Sequence, residues 1–579
     1  MLVLKLAVYL RNYKKECILG PAFKFLEVIL ELLLPTIMAL IINRGVAQRD
    51  GNYVLTMGAW MVLLACCGYG SAFICQRFAS RASQGFGTAL RNAVFRRALA
   101  FSSAQIDRFG AATLTTRLTN DVNQLQQWVA MMIRLVSRAP FICLGSILMA
   151  FLLDTRLALI LLAATPVLAL IIYVITRNAA PLYRAYQGKL DRLAALLGEN
   201  LSGVRVIRAF SKNQEQARRF AQANGDLMDS GLAIGRISSF FNPLTSLVVN
   251  LVIVLLLWVG GGHINAGRLS QGQIIAFINY VSQILAALLV LSNLIILLTK
   301  SMASAARINE VLDLTPDMTD TAGAAPAPVV AAPAIEFQDV CFGYNRTGEQ
   351  ALEHITLAIG AGQTIGIIGG TGSGKSTLVG LIARLYDATG GCVRVDGIPV
   401  QEYPLQALRT KIALVPQRAT LFAATVAQNI RWGNPQATDD DVRAAAAMAQ
   451  ADGFIAELPQ GYDTPVQRGG SNLSGGQRQR LTIARALAAD PAILILDDAT
   501  SALDYVTDAR LRRALRAQHG QRTVLLVSQR VSVVRDADAI LVLEDAEMAG
   551  FGPHDALLQS CPAYQQICQS QLAAEEVAP

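Results

Sequence analysis

The sequence predicts an α-helical transmembrane domain of six long helices, followed by an α/β domain built on a phosphate-binding loop. Composition points there first: 53% hydrophobic residues, only 16% charged and a mean hydropathy of +0.40 leave more apolar surface than soluble domains carry, so some of it must face lipid. Six apolar runs of bilayer length fill the first half, and "GGTGSGKST" lies between a strand-like and a helix-like run in the second. With 579 residues the chain also exceeds one domain, at about 150 residues each.

The apolar runs lie near residues 19–42, 53–76, 131–153, 156–177, 244–264 and 272–298, each close to the roughly 20 residues that cross a bilayer as a helix. An even number of spans puts both ends on one side. The connections "NRGVAQRDGNY", "LLDTR" and "GGHINAGRLSQG" are short, whereas 77–130 and 178–243 are long and carry many arginines, among them Arg77, Arg81, Arg91, Arg96, Arg97, Arg117, Arg184 and Arg208. Lys5, Arg11, Lys14 and Lys15 precede the first span. Positive charge thus marks the side shared by the N-terminus and the long loops as cytoplasmic. Apolar residues at helical spacing in "LTTRLTNDVNQLQQWVAMMI" and "LAALLGENLSGVRVIRAFSKNQEQARRF" predict helices that continue beyond the bilayer. The start, "MLVLKLAVYLRNYKKE", has no small-residue cleavage site and reads as an interfacial amphipathic helix, not a signal peptide.

The Ala/Pro-rich "TPDMTDTAGAAPAPVVAAPA" is the clearest boundary. It divides the chain into a transmembrane domain (1–314), a linker (315–334) and a nucleotide-binding domain (335–579). In the last, "TIGIIG", "KIALV", "AILIL" and "TVLLV" alternate with helical patterns, which predicts a largely parallel sheet. The net charge of +8 is spread over several segments and forms no stripe, so nucleic acid is not an expected partner. Nine scattered cysteines show no metal-ligand spacing and read as reduced thiols.

In the loop Gly369, Gly370, Thr371, Gly372, Ser373, Gly374, Lys375, Ser376 and Thr377, the glycines let backbone N–H groups wrap phosphates. Lys375 neutralises the β- and γ-phosphates, and the Ser376 hydroxyl can bind Mg²⁺. The strand–loop–helix context predicts ATP or GTP. Asp497 follows four apolar residues, so it should end a buried strand with its carboxylate directed at that Mg²⁺. "NLSGGQRQR" opens the helical "LTIARALAA" and places a second anion-binding helix start in a domain that already has a phosphate loop. From periodicity alone it remains a helix cap.

These residues resemble the ATP-binding cassette (ABC) family, in particular exporters with six transmembrane helices fused to one nucleotide-binding domain. The resemblance covers nearly the whole chain. "GGTGSGKST" is similar to the Walker A loop, "LILD" to Walker B, and "LSGGQ" (Leu473, Ser474, Gly475, Gly476, Gln477) is identical to the signature motif. Gln417 matches the Q-loop glutamine, which in the family senses Mg²⁺ and touches the membrane domain. Tyr344 matches the aromatic residue that stacks on adenine, and "SALD", ending at Asp504, the D-loop. "FGAATLTTRLTNDV" and "GVRVIRAF" resemble the two cytoplasmic segments that dock on the ATPase domains. The resemblance implies a dimer sandwiching two ATP molecules, each between Walker A of one chain and the signature motif of the other.

Two positions depart from the family pattern. Where it has Glu after the Walker B aspartate, as general base, this chain has Asp498. The carboxylate retracts by one carbon–carbon bond, roughly 1.5 Å, enough to misplace a water that must attack in line. Where it has His, "TVLLVSQRVSVV" has Gln529, which can donate to the γ-phosphate but cannot become a cation. Both changes at one site, beside an intact signature motif, predict the degenerate-site subunit of a heterodimer whose partner has the Glu and the His. A homodimer with two slow sites is the alternative.

The cargo is less legible. Glu27 and Glu31 lie one helical turn apart in the first span. They form either a site for cationic cargo or, the preferred reading, charges near the headgroups paired with Lys24 or a loop arginine. Asn242, Asn250, Asn279, Gln283 and Asn293 are expected mainly to bond between helices. Three classes of function stay in view. One is an ATP-driven exporter of amphipathic small molecules, drugs, lipids or peptides. Another is an importer or dedicated transporter of a siderophore or thiol on the same fold, and the third a non-transport role, as a gated channel or regulatory subunit. The intact Q-loop, signature and docking segments argue against the third. Membrane lipid is an expected partner, and the setting a bacterial inner membrane.

Overall fold

The computed structural model describes residues 5–265, 269–318, 320, 329, 331–344 and 350–577. The chain divides into two compact units, one of residues 1–99 and 110–315, the other of residues 100–109 and 316–579.

Among the described residues of the first unit, six helices are long and apolar enough to cross a membrane: α1 (Ala7–Val46), α2 (Gly51–Leu99), α4 (Ala111–Leu153), α5 (Thr155–Ser202), α7 (Asn213–Asn265) and α8 (Gln271–Asp313). The short helix α6 (Val204–Ala209) links α5 to α7. The long helices reach 40 to 53 residues, about twice what a bilayer needs. The helices therefore continue well past their apolar stretches, and in α7 a short turn at Ser239 and Phe240 separates the polar part from the apolar one. The stretch expected as an interfacial helix is a 3₁₀ helix, Ala7–Tyr13, that runs directly into the α-helical Lys14–Leu40.

Val28, Leu32, Leu157, Leu161, Leu256, Phe277 and Tyr280 interlock in the interior of this bundle. The Tyr280 hydroxyl is satisfied there by Leu32 O at 2.9 Å and Thr36 Oγ1 at 3.0 Å. Trp60, Leu144, Leu148, Leu170 and Trp258 point outward and are exposed, the surface that lipid would cover. Glu27 is paired with Lys24 at 2.7 Å and Glu31 with Arg138 at 2.9 Å. The Asn279 amide donates to Ile275 O of its own helix, not to a neighbouring one.

The second unit holds two sheets. β3 (Thr364–Gly369), β6 (Ile412–Val415), β7 (Ile493–Asp497), β8 (Thr523–Val527) and β9 (Ala539–Glu544) run parallel, with β10 (Glu547–Gly552) antiparallel at one edge, in the order β10-β9-β3-β8-β7-β6. Residues such as Ile367, Leu494, Ile495, Leu525 and Leu541 are buried, as expected for strands covered on both faces. A second, antiparallel sheet, β2-β1-β4-β5, comprises β1 (Ile335–Phe342), β2 (Leu352–Ile359), β4 (Gly390–Val395) and β5 (Ile398–Pro399). The expectation of one largely parallel sheet did not include it. Of the linker 315–334, residues 319, 321–328 and 330 lie outside the described residues.

Candidate functional site

β3 ends at Gly369 and α9 (Lys375–Ile382) begins six residues later, so the loop between them is forced into a tight turn over the carboxyl ends of the parallel strands. Gly374 has φ +92°, and a Cβ there would lie 2.4 Å from Ala351 O. Only glycine fits this turn. Gly370 and Gly372 would meet nothing within 4 Å, so one side of the loop is open for a ligand. Lys375 Nζ donates to Gly369 O at 2.8 Å, to Gly370 O, and to Ser373 Oγ at 3.3 Å. Burial lowers its pKa, and Asp497 and Asp498 partly oppose that shift.

Asp497 closes β7, and its Oδ1 accepts from Ser376 Oγ at 3.0 Å. Burial raises the Asp497 pKa. A carboxylate and a hydroxyl brought together beside a lysine-lined phosphate loop offer the hard oxygen donors that suit Mg²⁺, with phosphate oxygens to complete its shell. Asp498 has φ 47°, a left-handed conformation in which Asp is several-fold enriched among non-glycine residues. Its N–H donates to Val527 O at 2.9 Å, and its Oδ2 accepts from Gln417 Nε2 at 3.1 Å.

Tyr344 is half exposed beyond β1. Its hydroxyl shares a 2.9 Å hydrogen bond with Thr377 Oγ1, and its ring meets Phe342 and Tyr386 edge-on at 5.0 and 5.4 Å between centroids. Tyr386, which the sequence reading missed, donates to Asp107 Oδ2 at 3.0 Å. Burial first, and then this hydrogen bond, push its phenol up to about 12. Asp107 lies on α3 (Ser103–Phe109), which groups with the second unit. The docking segment quoted from the sequence, beginning at Phe109, thus starts where this helix ends.

Ser474 and Gln477 bond to each other. Ser474 Oγ accepts from Gln477 N at 3.2 Å and Gln477 Oε1 from Ser474 N at 2.9 Å, a capping box that opens α10 (Gly475–Ala488). Gly475 has open space where a Cβ would be. Gln529 has an exposed side chain after β8, and its backbone is held from an unexpected quarter. Gln571, on α13 (Pro562–Val577), donates through Nε2 to Gln529 O at 2.7 Å and accepts from Val531 N at 2.8 Å. Val531 starts the single-turn helix α12 (Val531–Val534), while α11 (Tyr505–Arg516) follows the D-loop with Asp504 as its cap. The structure therefore brings Ser376 to Asp497 and Gln417 to Asp498, and leaves Ser474–Gln477 facing outward on their own helix start.

Comparison with known proteins bears on the family and the fold. Two family profiles match the chain, the ABC transporter transmembrane region over residues 17–288 and the ABC transporter domain over residues 352–501. An uncharacterized ABC transporter ATP-binding protein of Mycobacterium tuberculosis is 38% identical over 579 residues, covering 99% of this chain and 98% of its own. The uncharacterized ABC transporter ATP-binding protein YfiB of Bacillus subtilis is 37% identical over 549 residues, 95% of each. The solved structure of a bacterial Atm1-family ABC exporter with ATP bound is similar at a TM-score of 0.77 and 26% identity, covering 99% of both chains.

Proposed function

The chain belongs to the ABC transporter family, and from that premise we propose that it is the hydrolysis-poor subunit of a heterodimeric exporter. It is a multi-pass membrane protein that fuses the transmembrane and ATPase domains of an ABC exporter, with the nucleotide-binding domain in the cytoplasm. In the proposed site Tyr344 stacks on adenine, and the N–H groups of Gly370 to Thr377 wrap the phosphates with Lys375. Ser376, Asp497 and Gln417 would hold Mg²⁺, whose charge would offset that of the phosphate oxygens. Gln529 donates to the γ-phosphate. Asp498 is left to orient the attacking water.

The observation that carries the reading is the pairing of Asp498 and Gln529 around an otherwise complete phosphate loop, beside an unaltered signature motif. Asp498 is short and already accepts a hydrogen bond from Gln417, which supports a carboxylate drawn away from the in-line water. A positioned base supplies about 10²–10⁴ in rate, and much of that is lost here. ATP bound by Lys375 and Asp497 is then held more than hydrolysed. Ser474 and Gly476 complete the competent site of the partner.

The cargo we propose is an amphipathic small molecule, drug, lipid or peptide. Glu27 and Glu31 both have cationic partners within the bundle, so neither demands a cation from the cargo.

The test is ATPase activity of the purified full-length chain in lipid nanodiscs, alone and co-expressed with its partner. Alone the chain should be slow, and Asp498→Glu with Gln529→His should raise its rate about 10²-fold. Full activity of the chain alone that Asp498→Asn abolishes would overturn the heterodimer and leave a homodimer.

A further inference from the structure

The turn after β8 is braced from three directions. Ser528 is buried, and its N–H donates to Ile367 O of β3 at 3.0 Å. Arg530 reaches across to donate from Nη2 to Thr500 O, two residues beyond Asp498, at 3.1 Å. Gln571 takes the remaining side, with one hydrogen bond to each end of the segment Gln529–Val531. The orientation of its amide is unambiguous, because an N–H can only donate and a carbonyl can only accept.

The helix that carries Gln571 is firmly seated. Tyr564 and Cys568 are buried, and the Tyr564 hydroxyl bonds His554 Nδ1 at 2.7 Å. Positions 564, 568 and 571 follow the i, i+4, i+7 spacing of one helix face, so the stripe that anchors α13 also presents the amide to the turn. α13 packs against α12 and β9. A side chain from forty-two residues away thereby supplies what resembles two strand-like backbone hydrogen bonds to a turn that has no strand beside it.

We infer that Gln571 is a positioning residue for the nucleotide site: by holding Gln529 O and Val531 N, it fixes where the Gln529 side chain is presented to the terminal phosphate of ATP. This rests on the reading above that Gln529 touches that phosphate. Without the brace, the turn keeps its attachment at Ser528 and Arg530, while the Gln529 peptide is free to rotate and its amide loses its aim. ADP has no γ-phosphate, so its affinity does not depend on the brace.

Competition against a fluorescent ATP analogue on the full-length chain in nanodiscs, with Mg²⁺, gives Kd for ATP and for ADP. Gln571→Ala should reduce the preference for ATP over ADP about fivefold, the worth of roughly one net hydrogen bond, with ADP affinity unchanged. Gln529→Ala should reduce the preference at least as much, and Gln529→Ala combined with Gln571→Ala no further. If Gln571→Ala unfolds α13, Gln571→Glu carries the same test, since it keeps the acceptor for Val531 N–H and sets a carboxylate oxygen against Gln529 O. A preference that falls in Gln529→Ala but not in the Gln571 variants overturns the inference and leaves the role of Gln529 standing. Equal weakening of ATP and ADP in the Gln571 variants makes the brace merely structural. An unchanged preference in Gln529→Ala removes the γ-phosphate reading itself, and the inference with it.

Discussion

Lys375 is an ammonium taken out of water and turned onto the carbonyls of its own loop. Desolvating a cation is costly; the loop carbonyls and the Ser373 hydroxyl bond this one, and the charges of Asp497 and Asp498 offset only part of the cost. In the proposed site its placement serves binding, not folding. Lys375→Met fills a similar volume without the charge, so it should leave the melting temperature of the nucleotide-free chain unchanged or slightly higher. The variant should lose the stabilisation that ATP confers, about 2.7 kcal/mol at a hundredfold excess over Kd in the parent chain. Thermal melts with and without MgATP check both halves. A large drop in melting temperature without nucleotide would contradict the account. The role proposed for Lys375 was readable from its place in a nine-residue motif, whereas that inferred for Gln571 was not. A glutamine forty-two residues from its partner leaves no local signal, and only the stripe Tyr564, Cys568, Gln571 hints that it faces inward.

The short helix α3 is tied into the second unit by the Tyr386 phenol, which donates to Asp107. In the folded protein this phenol keeps its proton up to about 12, against an ordinary value of 10. Between those values the folded chain binds the proton that the unfolded chain has released, so stability should fall as pH rises through that window. Its contribution is fully present below 10 and gone above 12. Asp107→Ala removes the hydrogen bond but leaves the burial, so the window should narrow without closing; melting curves of the two chains across alkaline pH measure it. The strands β3, β7 and β8 were legible because each is a short, mostly apolar run that ends in, or is followed by, a glycine or a polar residue. The antiparallel sheet was not, since its strands alternate buried and exposed residues and are separated by the phosphate loop and α9. Helix α3 was missed for a related reason: seven residues are too few to show a period.

A nucleotide site shared between two chains makes the fate of one substitution depend on which site it touches. In the proposed heterodimer, Asp498 belongs to the site built on this chain's phosphate loop, while Ser474 belongs to the site built on the partner's. Asp498→Asn keeps the shape and the left-handed backbone, and should alter the ATPase rate of the pair by less than about twofold, because this site contributes little of the positioned-base catalysis. Ser474→Asp is the complementary probe. Aspartate caps a helix as well as serine does, so α10 should fold unchanged, but a carboxylate now faces the partner's ATP where a hydroxyl and the helix N-terminus had attracted it. Losing such preorganised donors typically costs about 10²–10³ in rate, so turnover by the pair should collapse while its melting temperature holds. In a homodimer each chain supplies both surfaces, and the two substitutions would be equally damaging. The ratio of the two effects, measured on the co-purified complex, therefore reads the symmetry of the assembly directly, without knowledge of the cargo.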